Sequence, residues 1–237
     1  MNKIAIIVLI VITLASTKSI CQNSSMQNFD DAYKKEILEE NNSLSERISK
    51  FPQDIINLNE EIKIALRKKE FQTAFEFGIK IDTKLPNNDD VKNFLGKMAS
   101  KLGNSSKAIF YFDEALKINP LAKWIYINKS IVLSEIGKNN EALQTINQLI
   151  ERYPNWFIAY NIEGALFSNI NQTDKAILAY SKAIELEPNS AQVRTNRGSL
   201  YLEKREINKA KADFEKALLI QPNYEIANEK INLLTKQ

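Results

Sequence analysis

The chain has 237 residues, enough for one ordinary domain or a short repeat array, and its 44% hydrophobic and 26% charged content is that of a folded soluble protein. Its 32 basic and 29 acidic side chains leave a net charge of +3, too balanced to argue for nucleic acid. There is no histidine, and Cys21 is the single cysteine, which excludes a Ser-His-Asp triad, a Cys-His pair and a zinc site.

Residues 1–21 read as an export signal. Lys3 supplies the positive start, and Ile4 to Ala15 is an apolar run interrupted by Thr13. That run fits the hydrophobic region of a signal peptide and is short for a membrane span. Ser19 and Cys21 put small residues at −3 and −1 of a cut before Gln22, which is the favoured outcome. Two rivals remain. Cys21 could be lipidated, although Lys18 and Ile20 both depart from a lipidation motif, or the segment could stay as a membrane anchor. Cleavage removes Lys3 and Lys18 from the 32 bases, leaving 30 against 29 acids. The predicted location is therefore outside the cytoplasm: periplasmic or extracellular, with membrane attachment open.

Gln22 to Asn28 is a polar lead. Phe29 to Phe51 is predicted helical and amphipathic, and residues 22–54 together are expected to form a lead and an N-terminal capping hairpin, at best a divergent sixth repeat because Glu40 stands at its alanine place. From there a period dominates the chain. All six prolines, Pro52, Pro86, Pro120, Pro154, Pro188 and Pro222, stand 34 residues apart. Ala74, Ala108, Ala142, Ala176 and Ala210 share the spacing, each twelve residues before a proline. A fixed period of this length marks a stacked-repeat architecture.

The units are 55–88, 89–122, 123–156, 157–190 and 191–224. The fourth shows the logic. Tyr160, Gly164 and Phe167 line one helical face, Asn169 to Thr173 breaks it, and Asp174 suits the start of a second helix. Ala176, Ile177, Tyr180, Ala183 and Ile184 form a second apolar stripe that must end before Pro188. Gly164 and Ala176 are expected to let the two helices of a hairpin approach, and Tyr160, Phe167 and Tyr180 to fill the space between hairpins. One hairpin cannot bury both stripes, so neighbours must stack. Glu225 to Gln237 continues the first-helix pattern through Ala227, Ile231 and Leu234 and is predicted to be a C-terminal capping helix.

This pattern resembles the tetratricopeptide repeat family over residues 55–224. The residues carrying the resemblance are Leu95, Gly96, Ala108, Phe112, Ala115 and Pro120; Tyr160, Gly164, Phe167, Ala176, Tyr180, Ala183 and Pro188; and Gly198, Tyr201, Ala210, Phe214, Ala217 and Pro222. The 55–88 unit departs from it, with Ile62 at the glycine place and Gly78 at the aromatic place, and the 123–156 unit has Ser130 at the glycine place. The resemblance implies an all-α, right-handed α-solenoid whose first helices line a concave groove that binds peptide segments of partner proteins.

On those first helices the candidate ligand-binding residues are Asn93, Lys97, Lys101, Trp124, Asn128, Asn161 and Asn196. Asn93, Asn128, Asn161 and Asn196 recur at nearly one place, and their amides could both donate to and accept from an extended backbone. Lys97 and Lys101 lie one turn apart and could hold a carboxylate. Trp124 could anchor a partner or pad a junction. Tyr126, Tyr153 and Trp156 are assigned to packing. No catalytic residue, metal or cofactor is expected, and the partner is a protein or peptide. A self-assembling or lipid-anchored structural component is the alternative function, and a hydrolase built on paired carboxylates is the enzymatic one.

Overall fold

The structure is a computed structural model that describes residues 29–235; the predicted export signal and polar lead lie outside them. Among the described residues it is all-α, of the solenoid class of stacked helical hairpins. The helices are α1 (Asp31–Ser49), α2 (Gln53–Arg67), α3 (Phe71–Lys84), α4 (Asp89–Lys101), α5 (Ser105–Ile118), α6 (Lys123–Glu135), α7 (Asn139–Arg152), α8 (Phe157–Asn169), α9 (Thr173–Leu186), α10 (Ala191–Glu203), α11 (Ile207–Ile220) and α12 (Glu225–Thr235). No helix among the described residues is long and apolar enough to cross a membrane.

The described residues divide into two compact units. The amino-terminal unit is 37–146, and the carboxyl-terminal unit is 29–36 with 147–235, so α1 and α7 each contribute to both. In the amino-terminal unit α2 packs on α3, α3 on α4, α4 on α5 and α5 on α6. Its core includes Ile62, Leu95, Ala108 and Phe112, all essentially inaccessible to solvent. In the carboxyl-terminal unit α8 packs on α9, α9 on α10, α10 on α11 and α11 on α12.

Each hairpin is shaped by a few local rules. The second helix stops two residues before its proline, at Lys84, Ile118, Leu186 and Ile220. The residue before a proline is driven out of the helical region, and Leu85, Asn119, Glu187 and Gln221 have φ between −128° and −136°. The freed proline carbonyl is then taken up by the residue six positions on, in the next first helix. Tyr126 Oη donates to Pro120 O at 3.0 Å, Tyr160 Oη to Pro154 O at 3.1 Å, Arg194 Nη2 to Pro188 O at 3.1 Å and Asn228 Nδ2 to Pro222 O at 3.0 Å. Tyr160 thus has a polar duty at the turn as well as the packing expected of it.

Within a hairpin the close approach is between a glycine and an aromatic ring. A Cβ at Gly164 would lie 2.7 Å from the Tyr180 ring, and one at Gly96 would lie 2.6 Å from Phe112. Tyr180 therefore covers Gly164 inside its own hairpin, where the sequence suggested a filler between hairpins. The 55–88 unit reverses the pair: Ile62 is fully buried on α2, and Gly78 of α3 faces Phe94 and Leu95 of α4.

The segment before α2 departs from the expected capping hairpin. Residues 31–49 form a single helix. Its buried apolar residues Tyr33, Ile37 and Leu44, with Phe29 just ahead of it, make one narrow stripe. Such a stripe seats a helix on an existing surface but does not build a two-helix hairpin. The first turn hydrogen-bonds to residues as far along the chain as Ser190 and Gln221.

Candidate functional site: the first-helix face and its resident helix

In the carboxyl-terminal unit the face built from α8 and α10 is covered by the start of α1. Asp30, fully buried, is the centre of the contact. Its Oδ1 accepts from Tyr33 N at 2.9 Å, capping α1, while its Oδ2 accepts from Ser190 Oγ at 2.6 Å and from Gln192 N at 2.8 Å, where α10 begins. Ser190 in turn caps α10 by accepting from Val193 N at 3.2 Å. One carboxylate therefore serves the positive ends of two helices, where an anion is favoured. Burial raises the Asp30 carboxyl above its ordinary value in spite of those hydrogen bonds from Ser190, Tyr33 and Gln192.

Tyr33 follows one turn later. Its ring stacks on Phe29 at 5.5 Å and meets Phe157 of α8 edge-on at 5.4 Å. Its hydroxyl accepts from Asn161 Nδ2. Burial, reinforced by the Asp30 charge, pushes the phenol well above its usual range, so it stays protonated. Trp156 Nε1 then donates to Glu36 Oε2 at 2.7 Å, and Asp31 N donates to Gln221 Oε1 at 3.2 Å.

The remainder of α1 reaches α4, a first helix of the amino-terminal unit. Arg47 makes a two-pronged ion pair with Asp90, Nε to Oδ2 at 2.7 Å and Nη2 to Oδ1 at 2.8 Å, and Nη2 also reaches Glu40 at 3.1 Å. The planar guanidinium suits this fork. Burial raises the Glu40 carboxyl, partly offset by Arg47. Lys97 is 3% exposed, and burial lowers its ammonium to about 8, with Asp90 and Glu40 acting against the shift.

The structure disposes of the predicted ligand residues unequally. Binding a ligand in the groove requires these side chains to be accessible, yet Lys97, Trp124, Asn128 and Asn161 are all buried. Asn93 and Asn196 are half-buried, and Lys101 at the end of α4 is exposed. The asparagines spend their amides on one another and on α1. Asn128 Nδ2 donates to Asn93 Oδ1 at 3.0 Å in the amino-terminal unit. In the carboxyl-terminal unit Asn196 Nδ2 donates to Asn161 Oδ1 at 3.0 Å, and Asn161 passes its own donor to Tyr33. The two links span 35 residues each, one repeat plus one, so each amide meets its counterpart in the adjacent first helix. The partner met at the end of the second link is a helix bearing a tyrosine, where the sequence suggested an extended backbone.

Asp30, Tyr33, Trp156 and Ser190 are contact residues that sequence reasoning missed. Trp156 sits just before α8 and was assigned to packing; it is buried, but its indole N–H is a polar contact to α1. Asp30 directly before an amphipathic helix is an N-cap signal, and that signal was available. Among the described residues no group of three or more His, Cys, Asp and Glu side chains could hold a metal ion.

A family model described as tetratricopeptide repeat matches residues 90–120 and 191–224, and another of that description matches 128–155. A model described as TPR repeat matches 164–205. No curated protein matches the chain by sequence. Among solved structures, MamA from Desulfovibrio magneticus RS-1 is 21% identical, with 73% of this chain and 98% of that one covered and a TM-score of 0.60. A thermophilic TPR protein of Thermus thermophilus, TTC0263, is 17% identical, covers 75% and 99%, and has a TM-score of 0.59. YrrB, described as a TPR protein with an unusual peptide-binding site, is 20% identical, covers 72% and 88%, and has a TM-score of 0.54. At these identities the likeness is one of fold.

Proposed function

We infer that this chain, which belongs to the tetratricopeptide repeat family, is a non-catalytic adaptor that holds a segment of a partner protein on its first-helix face. One observation carries the reading. In the carboxyl-terminal unit that face already holds a helix through side-chain hydrogen bonds from Asn161, Trp156 and Ser190. A surface that grips a helix by polar side chains as well as by packing is suited to choosing among helices. The peptide-binding site named for YrrB supports such a use of the fold. The predicted export signal supports action in the cell envelope or outside the cell, with the chain serving a larger assembly there.

Site-specific photo-cross-linking in the native host tests this. A photoreactive residue replaces exposed Asn169 at the end of α8, a first helix, and a second replaces exposed Lys216 on α11, a second helix. Discrete protein adducts are expected from position 169 and not from 216. The same adduct pattern at both positions, or none at 169, sinks the reading. Mass spectrometry of the mature amino terminus, expected at Gln22, checks the export part.

A further inference from the structure

We propose that the start of α1 is a resident stand-in for the partner: the first-helix face of the carboxyl-terminal unit recognises a helix capped by aspartate, with an aromatic residue just before the cap and a tyrosine three residues after it, and a partner presenting such a helix binds by displacing α1. This rests on the adaptor reading and specifies its ligand.

The chemistry of the contact defines the ligand. Asp30 is accepted by a preformed anion site: the Gln192 amide at the start of α10 and the Ser190 hydroxyl, which is also the cap of α10. That site belongs to the repeats and asks only for a carboxylate at the right height. Asn161 is held in place by Asn196, so its amide is aimed before anything docks, and it asks for an acceptor one turn further along the incoming helix. Phe157 offers the edge contact for an aromatic ring at the same position. Trp156 reads a second acceptor, Glu36, one more turn along. The hooks fall on residues 30, 33 and 36, one per turn of the docked helix, so the face reads both a helical rise and a chemical sequence.

Two features make α1 replaceable. The polar part of its grip in this unit is made of hydrogen bonds whose alternative is water, and exchanging one for the other yields little net gain. Moreover, burial holds the Asp30 carboxyl above its normal range, so desolvation outweighs its hydrogen bonds and offsets part of what the contacts contribute. A competing helix with the same three hooks and a larger apolar face meets every polar group α1 leaves behind, so no buried donor is orphaned in the exchange.

The test uses the full chain and, as probe, a fluorescein-labelled synthetic peptide of residues 29–49 followed by anisotropy. The chain carrying Asp30→Ala and Tyr33→Ala loosens its own α1 and is expected to bind the peptide at least about ten-fold more tightly than the wild-type chain, a difference of about 1.4 kcal/mol. A peptide with Tyr33→Ala is expected to lose about that factor. Equal binding to both chains, or none to the double variant, overturns the proposal. If the double variant loses its helical circular dichroism, Tyr33→Phe takes its place. It removes only the Asn161 contact and must still bind the peptide more tightly than wild type; failure there overturns the proposal as well. Sedimentation showing the wild-type chain to be a dimer with exchanged α1 would make the occupant a second copy and overturn the partner class. Adducts from position 169 without peptide binding would leave the adaptor reading standing and sink this one alone.

Discussion

Lys97 is a charge kept where charge is costly. It is buried on α4, and the nearby carboxylates of Asp90 and Glu40 only partly offset the burial that brings it to about 8. Above pH 8 the folded chain sheds this proton, whereas the unfolded chain, with an ordinary lysine at 10.5, keeps it. The unfolded state then binds more protons, so this residue makes stability rise with pH between about 8 and 10.5. Between pH 8 and 9.5 the gain is about 1.5 kcal/mol. Chemical denaturation of wild type and Lys97→Met at the two pH values reads it; parallel behaviour of the two chains would refute the assignment. Lysine at 97 is plain in the sequence, but its burial is not. The spacing puts it on the side of α4 away from the hairpin partner, and it is buried all the same, near Glu40 of a helix outside the repeats. The same holds for Asn161. Its recurrence with Asn196 is visible in the period, but its acceptor, Tyr33, lies 128 residues away with no periodic relation to it.

The hairpin turn is the element the period predicts best, and it holds something the period half hides. Between first and second helices one residue per repeat takes a left-handed conformation: Lys69, Gly103, Gly137, Asn171 and Arg205, with φ between 59° and 78°. Each lets the next amide reach back across the turn, as Asn104 N does to Ala99 O at 2.9 Å and Glu206 N to Tyr201 O at 2.8 Å. This is the Schellman closure of a helix end, a place that favours glycine. Gly103 and Gly137 are visible as a pair in the sequence. The other members are not, because Lys69 and Arg205 tolerate a conformation that disfavours them. Arg205→Gly is expected to stabilise the chain by about 0.5–1 kcal/mol, the relief of left-handed strain less the extra freedom of glycine in the unfolded chain. Urea denaturation measures this, and an unchanged or lower midpoint would show that the turn carries no strain. The hairpins were legible because helix, turn and proline stop are each encoded within one period. The proline carbonyl bonds were not, since Tyr126, Tyr160, Arg194 and Asn228 share a position and a function while the residue type changes from tyrosine to arginine to asparagine along the chain.

For the whole molecule, two kinds of contact coexist. Stacked repeats touch their neighbours and little else, so most of their structure is local and forms quickly. The start of α1 is the opposite: Asp30 meets Ser190 across 160 positions, and Asp31 meets Gln221 across 190. Its place could not be read from a period because it stands outside the period. Refolding should therefore run in two stages. With Trp124→Phe leaving Trp156 as the remaining tryptophan, helical circular dichroism should recover before the fluorescence change that reports the Glu36 contact, and Tyr33→Ala should abolish the later phase. A single shared phase would refute it. The same ordering applies during synthesis. The ribosome makes residue 30 long before residue 221, and at typical elongation rates the gap is about 10–40 seconds. Throughout that interval the first helix has been made and its seat has not, so a newborn chain offers to its neighbours a face that the finished one keeps covered.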